Sequence, residues 1–557
     1  MSKIIGIDFG TTNSLAAYAN NGKARTIKGG NIEHILPSVV CKYDGKLIVG
    51  KDAKDNISIF TGGSGIAEIK KMIGSNKTLL FDGKQMKPYE ISAIILKKIK
   101  RNLKLYFEED VNEAVITVPA QFSNTQRSEI IKAGEAAGFK VRKIINEPTA
   151  ALLAYAAENE ITSETVLCYD YGGGTFDVSI AHISGSRYSG KSVEILATDG
   201  DRQQGGADID RILFKLVNDD LLRKYGECFS NQDNYGAIQV LRTTEKVKIE
   251  LSSKQEATVS IPDLKLPSGK NIGYFKSIKR AEFERLIEKE IDKTIKIVKR
   301  AIDSTNLSTS NIDKVLLVGG TSRIPLVTEK INEKLGLTTT FGGIHPDECV
   351  AIGAAIEAAN LSGNAWTKKK VGITRDVCPF TLGLKYEDGH EKNLFDPLIT
   401  KNFPYGEEYS EEYVTVLDNQ NSMELEIYQG ESSRANKNEK VCTFTVKGIP
   451  ERRAGLEKVR IHFKYDTDGI LNIRAKVLST GVEVQHSQQY GYNIGASMQS
   501  KRKIEEQFIS EGKIEEAMAL AKSVRIYGEK AHEKKILEAI KFEDEDALDD
   551  ITKDLLS

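Results

Sequence analysis

The sequence predicts an α/β fold built from two similar halves, followed by an all-β domain and a helical tail. Three observations carry this prediction. Apolar strands alternate with amphipathic helices through residues 1–367, the pattern of a layered α/β architecture. A strand–turn–strand motif rich in glycine and threonine occurs twice, early in each half. Beyond about residue 376 the hydrophobic period switches from helical to alternating.

The fuller copy of the motif is residues 166–180. An apolar strand (Val166 to Tyr169) leads to Asp170, then to Gly172, Gly173 and Gly174, then to Thr175 and a second strand carrying Asp177. Glycine lets backbone N–H groups face a ligand with no Cβ in the way, and such a concavity suits phosphate. The earlier copy runs from Ile4 to Ser14: apolar strand, Asp8, Gly10, then Thr11, Thr12 and Asn13. Asp8 aligns with Asp170, Phe9 with Tyr171 and Gly10 with Gly172. One such loop reads equally as an ordinary hairpin; two in register point to a nucleotide gripped from both sides. Asp8, Asp170 and Asp177 at strand ends suit a hydrated Mg²⁺.

The elements follow in order. Residues 1 to about 60 read as strands and turns, punctuated by Pro37 and glycines. Glu68 to Gly74 is a short helical piece carrying Lys70 and Lys71. Ile91 to Phe107 is a lysine-rich amphipathic helix. Ala114 to Val118 is a strand closed by Pro119, and Thr125 to Gly138 a helix ended by glycine. Val141 to Ile145 is a strand, and Asn146 opens a helix reaching Ala157. In the second half, Gly205 and Gly206 precede a helix from about Asp208 to Tyr225. Thr243 to Leu251 is helical, Ala257 to Leu266 is β, and Ala281 to Asp303 is a long helix. Lys314 to Val318 runs into a turn at Gly319 and Gly320. Asp347 precedes a small-residue helix through Ala355.

A linker is expected at 368–376 and a compact β domain at 377–490. There Met423, Leu425 and Ile427 alternate with Glu424, Glu426 and Tyr428, and a turn at Asp466 to Gly469 joins two alternating strands. Residues 491–557 carry helix-spaced pairs such as Ile504 with Phe508 and Ile536 with Ile540. They are expected to be a short helical segment.

Composition excludes several functions. The 557 residues carry 78 basic and 79 acidic side chains, a net charge of −1, so no nucleic-acid partner is expected. The N-terminus leads directly into a strand and no apolar run reaches bilayer-spanning length, so no leader and no membrane contact are expected. The six cysteines show no C-x-x-C spacing and are expected to be reduced, as in the cytoplasm. The seven histidines form no zinc signature.

A phosphate site also needs a cation near the terminal phosphate and a carboxylate to orient water. Spacing alone does not choose Lys70 over Lys71. A lone Lys70 reads as a surface lysine and a lone Glu147 as an ordinary acid at a helix start.

Five motifs decide the matter: residues 7–14, Val118 to Phe122, Ile145 to Ala151, Tyr169 to Asp177, and Val318 to Pro325. With them the chain resembles the DnaK-type heat shock protein 70 (Hsp70) chaperones over nearly all of residues 1–490. Asp376 to Gly383 with Phe395 to Leu398 is most similar to the short bacterial HscC branch. The resemblance implies an actin-like ATPase domain of two lobes, a β-sandwich peptide-binding domain and a helical lid. It implies ATP or ADP, Mg²⁺ and room for K⁺. It assigns catalysis to Lys70, Glu147 and Thr175, and Mg²⁺ to Asp8, Asp170 and Asp177. Nucleotide contacts fall on Thr11, Thr12, Asn13, Gly172, Gly173, Gly174, Gly205, Gly206, Glu245, Lys248, Ser252, Gly319, Gly320, Arg323 and Asp347. Pro119, Arg127 and Asp376 match positions that couple the domains. Apolar peptide is expected at Leu384, Tyr386, Tyr413, Val416, Met423 and Leu425, although alternation alone allows Met423 and Leu425 to be plain core. Unfolded polypeptide clients, a J-domain co-chaperone and a nucleotide exchange factor are the implied partners.

Three departures bear on that picture. The linker residues Val371 to Arg375 are less apolar than the family's leucine-rich run, costing about 1–2 kcal/mol of docking per missing leucine. Lys143 stands where the family often has an arginine implicated in J-protein contact. The tail is about half the usual lid. They motivate one rival, a nucleotide-holding regulatory protein with weak coupling. A second rival is a small-molecule kinase of the same fold, which would need neither β domain nor tail.

Overall fold

Two six-stranded mixed sheets organise the first part of the chain. The first runs, in spatial order, Lys140–Asn146, Glu113–Val118, Ile4–Phe9, Asn13–Asn20 and Lys23–Thr26, with Leu36–Pro37 paired to Asn13–Asn20. The second runs Thr339–Thr340, Lys314–Val318, Ser163–Tyr171, Phe176–Ser186, Gly190–Asp201 and Val371–Arg375. The computed structural model describes residues 3–494 apart from 21, 30–31, 44–45, 57–64, 187–189, 231–234, 363–370, 389–390, 466–469 and 490–491.

The two sheets share a plan, as the repeated motif predicts. In each, the motif forms an antiparallel hairpin, and its first strand has a parallel neighbour on the other side. Ile4–Phe9 pairs with Glu113–Val118, and Ser163–Tyr171 pairs with Lys314–Val318. Strands covered on both faces must be apolar throughout. Accordingly Ile5, Ile7, Val166 and Tyr169 are fully buried.

Helices Glu147–Glu158 and Cys349–Leu361 cover these sheets, and small residues let them approach closely. A Cβ on Gly353 would lie 1.7 Å from the carbonyl oxygen of Ala150. One on Gly6 would lie 2.1 Å from the Ala355 nitrogen. The Ala/Gly-rich helix seen in the sequence is therefore a packing requirement. Its observed start is Cys349, just after Asp347.

Helices Gly206–Tyr225 and Tyr235–Leu251 and the hairpin Glu256–Lys265/Asn271–Lys279 extend the second half. The hairpin's first strand alternates between exposed and buried residues from Glu256 to Ile261, then shifts register before Leu264. Its buried face joins helix Arg280–Asp303 in one core that includes Val259, Ile261, Phe283 and Ile287. Several helices begin earlier than sequence periodicity indicates. Helix Pro88–Phe107 starts three residues before Ile91, with proline in its first turn, where its missing N–H costs nothing.

Most of the described part of the linker is a strand. Val371–Arg375 pairs in parallel with Lys191–Glu194, and Val371 is 0 % exposed. The lower apolarity does not prevent docking, because backbone pairing and polar contacts supplement the burial. Arg375 reaches Glu194 at 3.2 Å, and Asn360 donates to the Val371 carbonyl at 2.9 Å.

Contacts divide the described chain into two compact units, residues 1–407 with 426–442, and residues 408–425 with 443 onward. In the first, Leu382–Asp388 pairs with Glu391–Ile399 and, at Leu382–Leu384, with residues 427–429. In the second, Glu408–Val414, Lys458–Tyr465, Ile470–Val477, Glu483–Gln489 and Tyr492–Ile494 form an antiparallel sheet. Ile461, Phe463, Ile473 and Ala475 are its buried face, as alternation predicts. The expected turn at 466–469 and the expected helical tail at 491–557 lie outside the described residues, save for strand Tyr492–Ile494.

Candidate functional site

The two glycine/threonine turns meet face to face. A Cβ on Gly173 would lie 2.0 Å from Thr12 Oγ1, and one on Gly174 would lie 2.6 Å from Thr11 Cγ2. The second turn closes on itself through Gly172 N–H to the Thr175 carbonyl at 3.1 Å. Gly205 and Gly206 pack onto its back. Gly206 and Ala207 donate to the carbonyls of Gly172 and Gly173 at 3.0 and 2.9 Å. Gly319, at φ +78°, comes so near that a Cβ would sit 2.5 Å from the Tyr171 carbonyl oxygen. Thr321 adds a hydroxyl donated to the Gly172 carbonyl at 2.8 Å.

Four carboxylates collect beside these turns. Register sets Asp170 opposite Asp177 across their hairpin, and Asp8 occupies the matching place in the other. Glu147, in the first turn of its helix, is the fourth. Burial and then the Glu147 charge push Asp8 and Asp177 each up to about 7. The same two causes, with Asp177 and Asp8, hold Asp170 well above the usual carboxylate range. Thr117 donates to Asp8 at 3.2 Å, and the Gln121 N–H donates to Asp177 Oδ1 at 3.2 Å. Asp177 Oδ2 is buried with no hydrogen-bond partner.

Among the described residues one lysine, Lys70, ion-pairs within this cluster. Lys70 is 2 % exposed and ion-pairs with Glu147, lying 5.8 and 5.7 Å from the ring centres of Phe9 and Phe122. Lys71 turns instead toward Glu68 and Asp208, at 3.5 and 3.9 Å. The choice that spacing left open is made by the single turn Ile69–Met72, which points successive side chains in different directions.

The fit to Mg²⁺ can be tested on these residues. Four acids, of which Asp170 and Asp177 are buried and Asp8 and Glu147 partly so, face one lysine and leave an excess of negative charge, and one buried carboxylate oxygen has no donor. Both are what a divalent cation would relieve. Among the described residues no three carboxylate, imidazole or thiol groups converge on a direct coordination site. The charge excess and the unpartnered Asp177 Oδ2 fit a divalent cation at this cluster.

A cavity of about 130 Å³ opens at this end, lined by Thr11, Lys70, Lys71, Phe122, Gln126, Thr175, Arg202 and Gln203. Away from it lie the residues expected at ribose and base. Lys248 bonds Asp210 at 2.8 Å and the Gly206 carbonyl at 3.0 Å. Burial raises Asp210 to about 6 despite that lysine. Glu245 pairs with Lys54 at 2.8 Å, Arg323 pairs with Asp347 at 2.9 Å, and Gly320 lies near Asp347. Ser252 donates its hydroxyl to the Lys248 carbonyl at 3.1 Å. Asn13 is exposed beside the first turn.

Arg127 is 2 % exposed and donates to the carbonyls of Phe122 and Ala120 and to Asn146 Oδ1, at 3.0, 2.9 and 2.6 Å. It thus joins the Pro119 loop to the strand end before Glu147. Half-buried Asp376, whose carboxyl is raised by burial, is near enough to feel the charges of Arg127 and Lys143. Lys143 itself pairs with Glu357 at 2.8 Å.

Of the residues expected to contact peptide, Leu384, Met423 and Leu425 are buried, Tyr413 is partly buried, and Tyr386 and Val416 are exposed, Val416 at 74 %.

Thr117, Gln121, Gln126, Arg202, Gln203 and Thr321 were not singled out by sequence reasoning. For Thr117 a signal existed: it is the polar residue in the apolar run Ala114 to Val118 of its strand. For Arg202 none did.

A two-lobed α/β protein whose glycine turns face each other over buried acids and one lysine is a nucleotide-binding protein. The model of the Hsp70 protein family matches residues 4–80 and 76–555. The chain is 38 % identical over 484 residues to the chaperone protein DnaK of Thermotoga neapolitana, covering 86 % of this chain and 79 % of that one. The DnaK of Thermotoga maritima matches to the same extent. That of Thermosipho africanus is 35 % identical over 568 residues, covering 99 % and 91 %. The chain belongs to the Hsp70 family. It is an ATP-dependent molecular chaperone and an ATPase, using ATP and ADP with Mg²⁺.

Proposed function

We propose that ATP hydrolysis between the facing turns is coupled, through the strand Val371–Arg375, to binding and release of extended apolar polypeptide. One observation carries this reading. The linker strand is an edge of the same sheet whose central hairpin presents Asp170 and Asp177. A movement of that hairpin on loss of phosphate reaches the linker through one intervening strand, Gly190–Asp201.

In the hydrolytic step, backbone N–H groups of Thr11, Thr12, Asn13 and Gly172 to Thr175 hold the phosphates. Lys70 stabilises charge on the terminal phosphoryl group. Glu147 orients the water that attacks the terminal phosphorus, ADP leaves, and Thr175 lies beside that terminal phosphate. Asp8, Asp170 and Asp177 would hold Mg²⁺ through its waters, and the ion would supply neutralisation of phosphate charge. Glu245, Lys248, Ser252, Arg323 and Asp347, with Gly205, Gly206, Gly319 and Gly320, form the nucleoside side. Potassium is a further ion for the same cleft. Pro119, Arg127 and Asp376 relay the state of the site toward the linker.

The domain limits are 1–367 for the ATPase, 368–376 for the linker, 377–490 for the β-sandwich and 491–557 for a helical lid, whose first residues Tyr492–Ile494 instead continue the sheet as a strand. Client segments pair with strand edges and place side chains against Leu384, Tyr386, Tyr413, Val416, Met423 and Leu425. The partners are unfolded polypeptides, a J-domain co-chaperone and a nucleotide exchange factor. Six free cysteines support a reducing compartment, the cytoplasm.

The deciding experiment follows a fluorescent apolar peptide dissociating after addition of ATP. Acceleration supports the coupled cycle. An unchanged rate sinks it in favour of a weakly coupled binding protein.

A further inference from the structure

Arg202 faces two ways. It lines the cavity that also holds Lys70, Thr11 and Thr175. Its guanidinium carbon also lies 5.4 Å from the ring centre of Phe380, at the start of the β segment that follows the linker. Its third contact ties both ends together. Arg202 Nη1 donates to Gln126 Oε1 at 2.8 Å, and Gln126 Nε2 donates to the Ile73 carbonyl at 3.2 Å. Ile73 ends the turn Ile69–Met72 that carries Lys70. The path from Phe380 to the catalytic end of the cleft is thus Phe380, Arg202, Gln126, Ile73, Lys70.

We propose that Phe380 positions Arg202 as a wall of the terminal-phosphate cavity, so that this contact favours ATP over ADP. A guanidinium stacked by its face on an aromatic ring keeps its N–H edge free for an oxyanion. Arg202 is exposed and flexible on its own; the ring and Gln126 restrict it. Fixing the fork before the ligand arrives lowers the ordering cost of binding a phosphoryl group. The preference is reciprocal: whatever the Phe380 contact adds to affinity for the terminal phosphate, that phosphate adds to the contact. Arg202 is a positioning and selectivity residue here, and the inference deepens the coupled reading above, on which it rests.

The test is equilibrium binding of ADP and of a non-hydrolysable ATP analogue to the full chain. The variants are Phe380→Leu, Phe380→Tyr, Arg202→Ala and the double variant Phe380→Leu/Arg202→Ala. The ratio of analogue to ADP affinity should fall about three-fold in Phe380→Leu and in Arg202→Ala. It should fall no further in the double variant and keep its parent value in Phe380→Tyr. ADP affinity of Phe380→Leu should match the parent, which verifies folding. An unchanged ratio in Phe380→Leu, or losses that add in the double variant, would overturn the proposal. If Arg202→Ala fails to fold, the Phe380→Leu and Phe380→Tyr pair still decides. A responsive ratio together with peptide release insensitive to ATP sinks the coupled cycle and leaves this contact standing.

Discussion

Gly173 of the second phosphate turn packs directly on Thr12 of the first, leaving 2.0 Å between a Cβ built on the glycine and the threonine hydroxyl oxygen. The lobes can approach this closely only because one side has no side chain. Gly173→Ala must therefore push the two turns apart. We expect at least a ten-fold loss of ATP affinity with little change in melting temperature, since the clash can be relieved by opening the cleft. Calorimetric ATP titration and a thermal melt would check both parts; tight ATP binding by the variant would contradict the face-to-face geometry.

Lys70→Ala is expected to keep ATP binding while slowing hydrolysis about 10²–10³-fold, because Lys70 alone among nearby lysines pairs with Glu147. Lys71→Ala should lose less than about three-fold, as its partners are Glu68 and Asp208. Single-turnover rates for the two variants make the comparison. Equal losses would show that pairing with Glu147 does not set Lys70 apart from Lys71.

The acid cluster predicts a pH dependence whose sign can be worked out. Asp8 and Asp177 have folded pKa values near 7, raised mainly by burial. A raised carboxyl contributes stability that is fully present below its unfolded pKa, about 4, and lost as pH rises through 7. The metal-free protein should thus gain stability from these two groups on going from pH 8 to pH 6. Mg²⁺ needs the ionised forms, so its stabilising effect should shrink over the same interval. Melting temperatures with and without Mg²⁺ at the two pH values test this; a larger Mg²⁺ effect at pH 6 would refute it.

Asp199 predicts the opposite sign. Burial raises its carboxyl, but Arg300 and Lys401 more than offset this and leave it below the ordinary value. Its contribution is present above the unfolded pKa and lost as pH falls through the lower folded one. Lys401 reaches Asp199 at 2.7 Å, and Asn402 accepts from the Thr198 N–H at 2.9 Å. Asp199→Asn should weaken this junction and reduce ATP-driven peptide release several-fold, with intrinsic hydrolysis unchanged. Peptide release at the parent rate would show that the junction is not used.

Val371→Asp would place a carboxylate at a fully buried strand position, at a cost of several kcal/mol if it stayed there. The strand should undock instead. ATP should then no longer accelerate peptide release, while nucleotide binding persists. Retained acceleration would remove the linker strand from the coupling path.

Much of the site was legible in the sequence because it is local. Asp8 with Thr11 to Asn13, and Asp170 with Gly172 to Asp177, lie within a few residues of each other, and strand periodicity alone sets their faces. The doubled motif likewise foretold two sheets of one plan. The linker was harder to read. Its low apolarity argued against docking, yet Val371–Arg375 pairs with Lys191–Glu194, because strand addition draws on backbone hydrogen bonds that every residue carries.

By itself, then, the sequence determined the local chemistry: which turns present N–H groups, which strand ends carry carboxylates, and which helices are small enough to pack tightly. Only the tertiary structure decided which lysine joins the acids and how far those acids are driven from their ordinary pKa. It alone brought Arg202 to Phe380, 178 positions apart in the chain. The physical reason is range. Hydrophobic period and turn chemistry act over a few residues, whereas desolvation, charge coupling and side-chain contact depend on what the folded chain brings within a few ångströms.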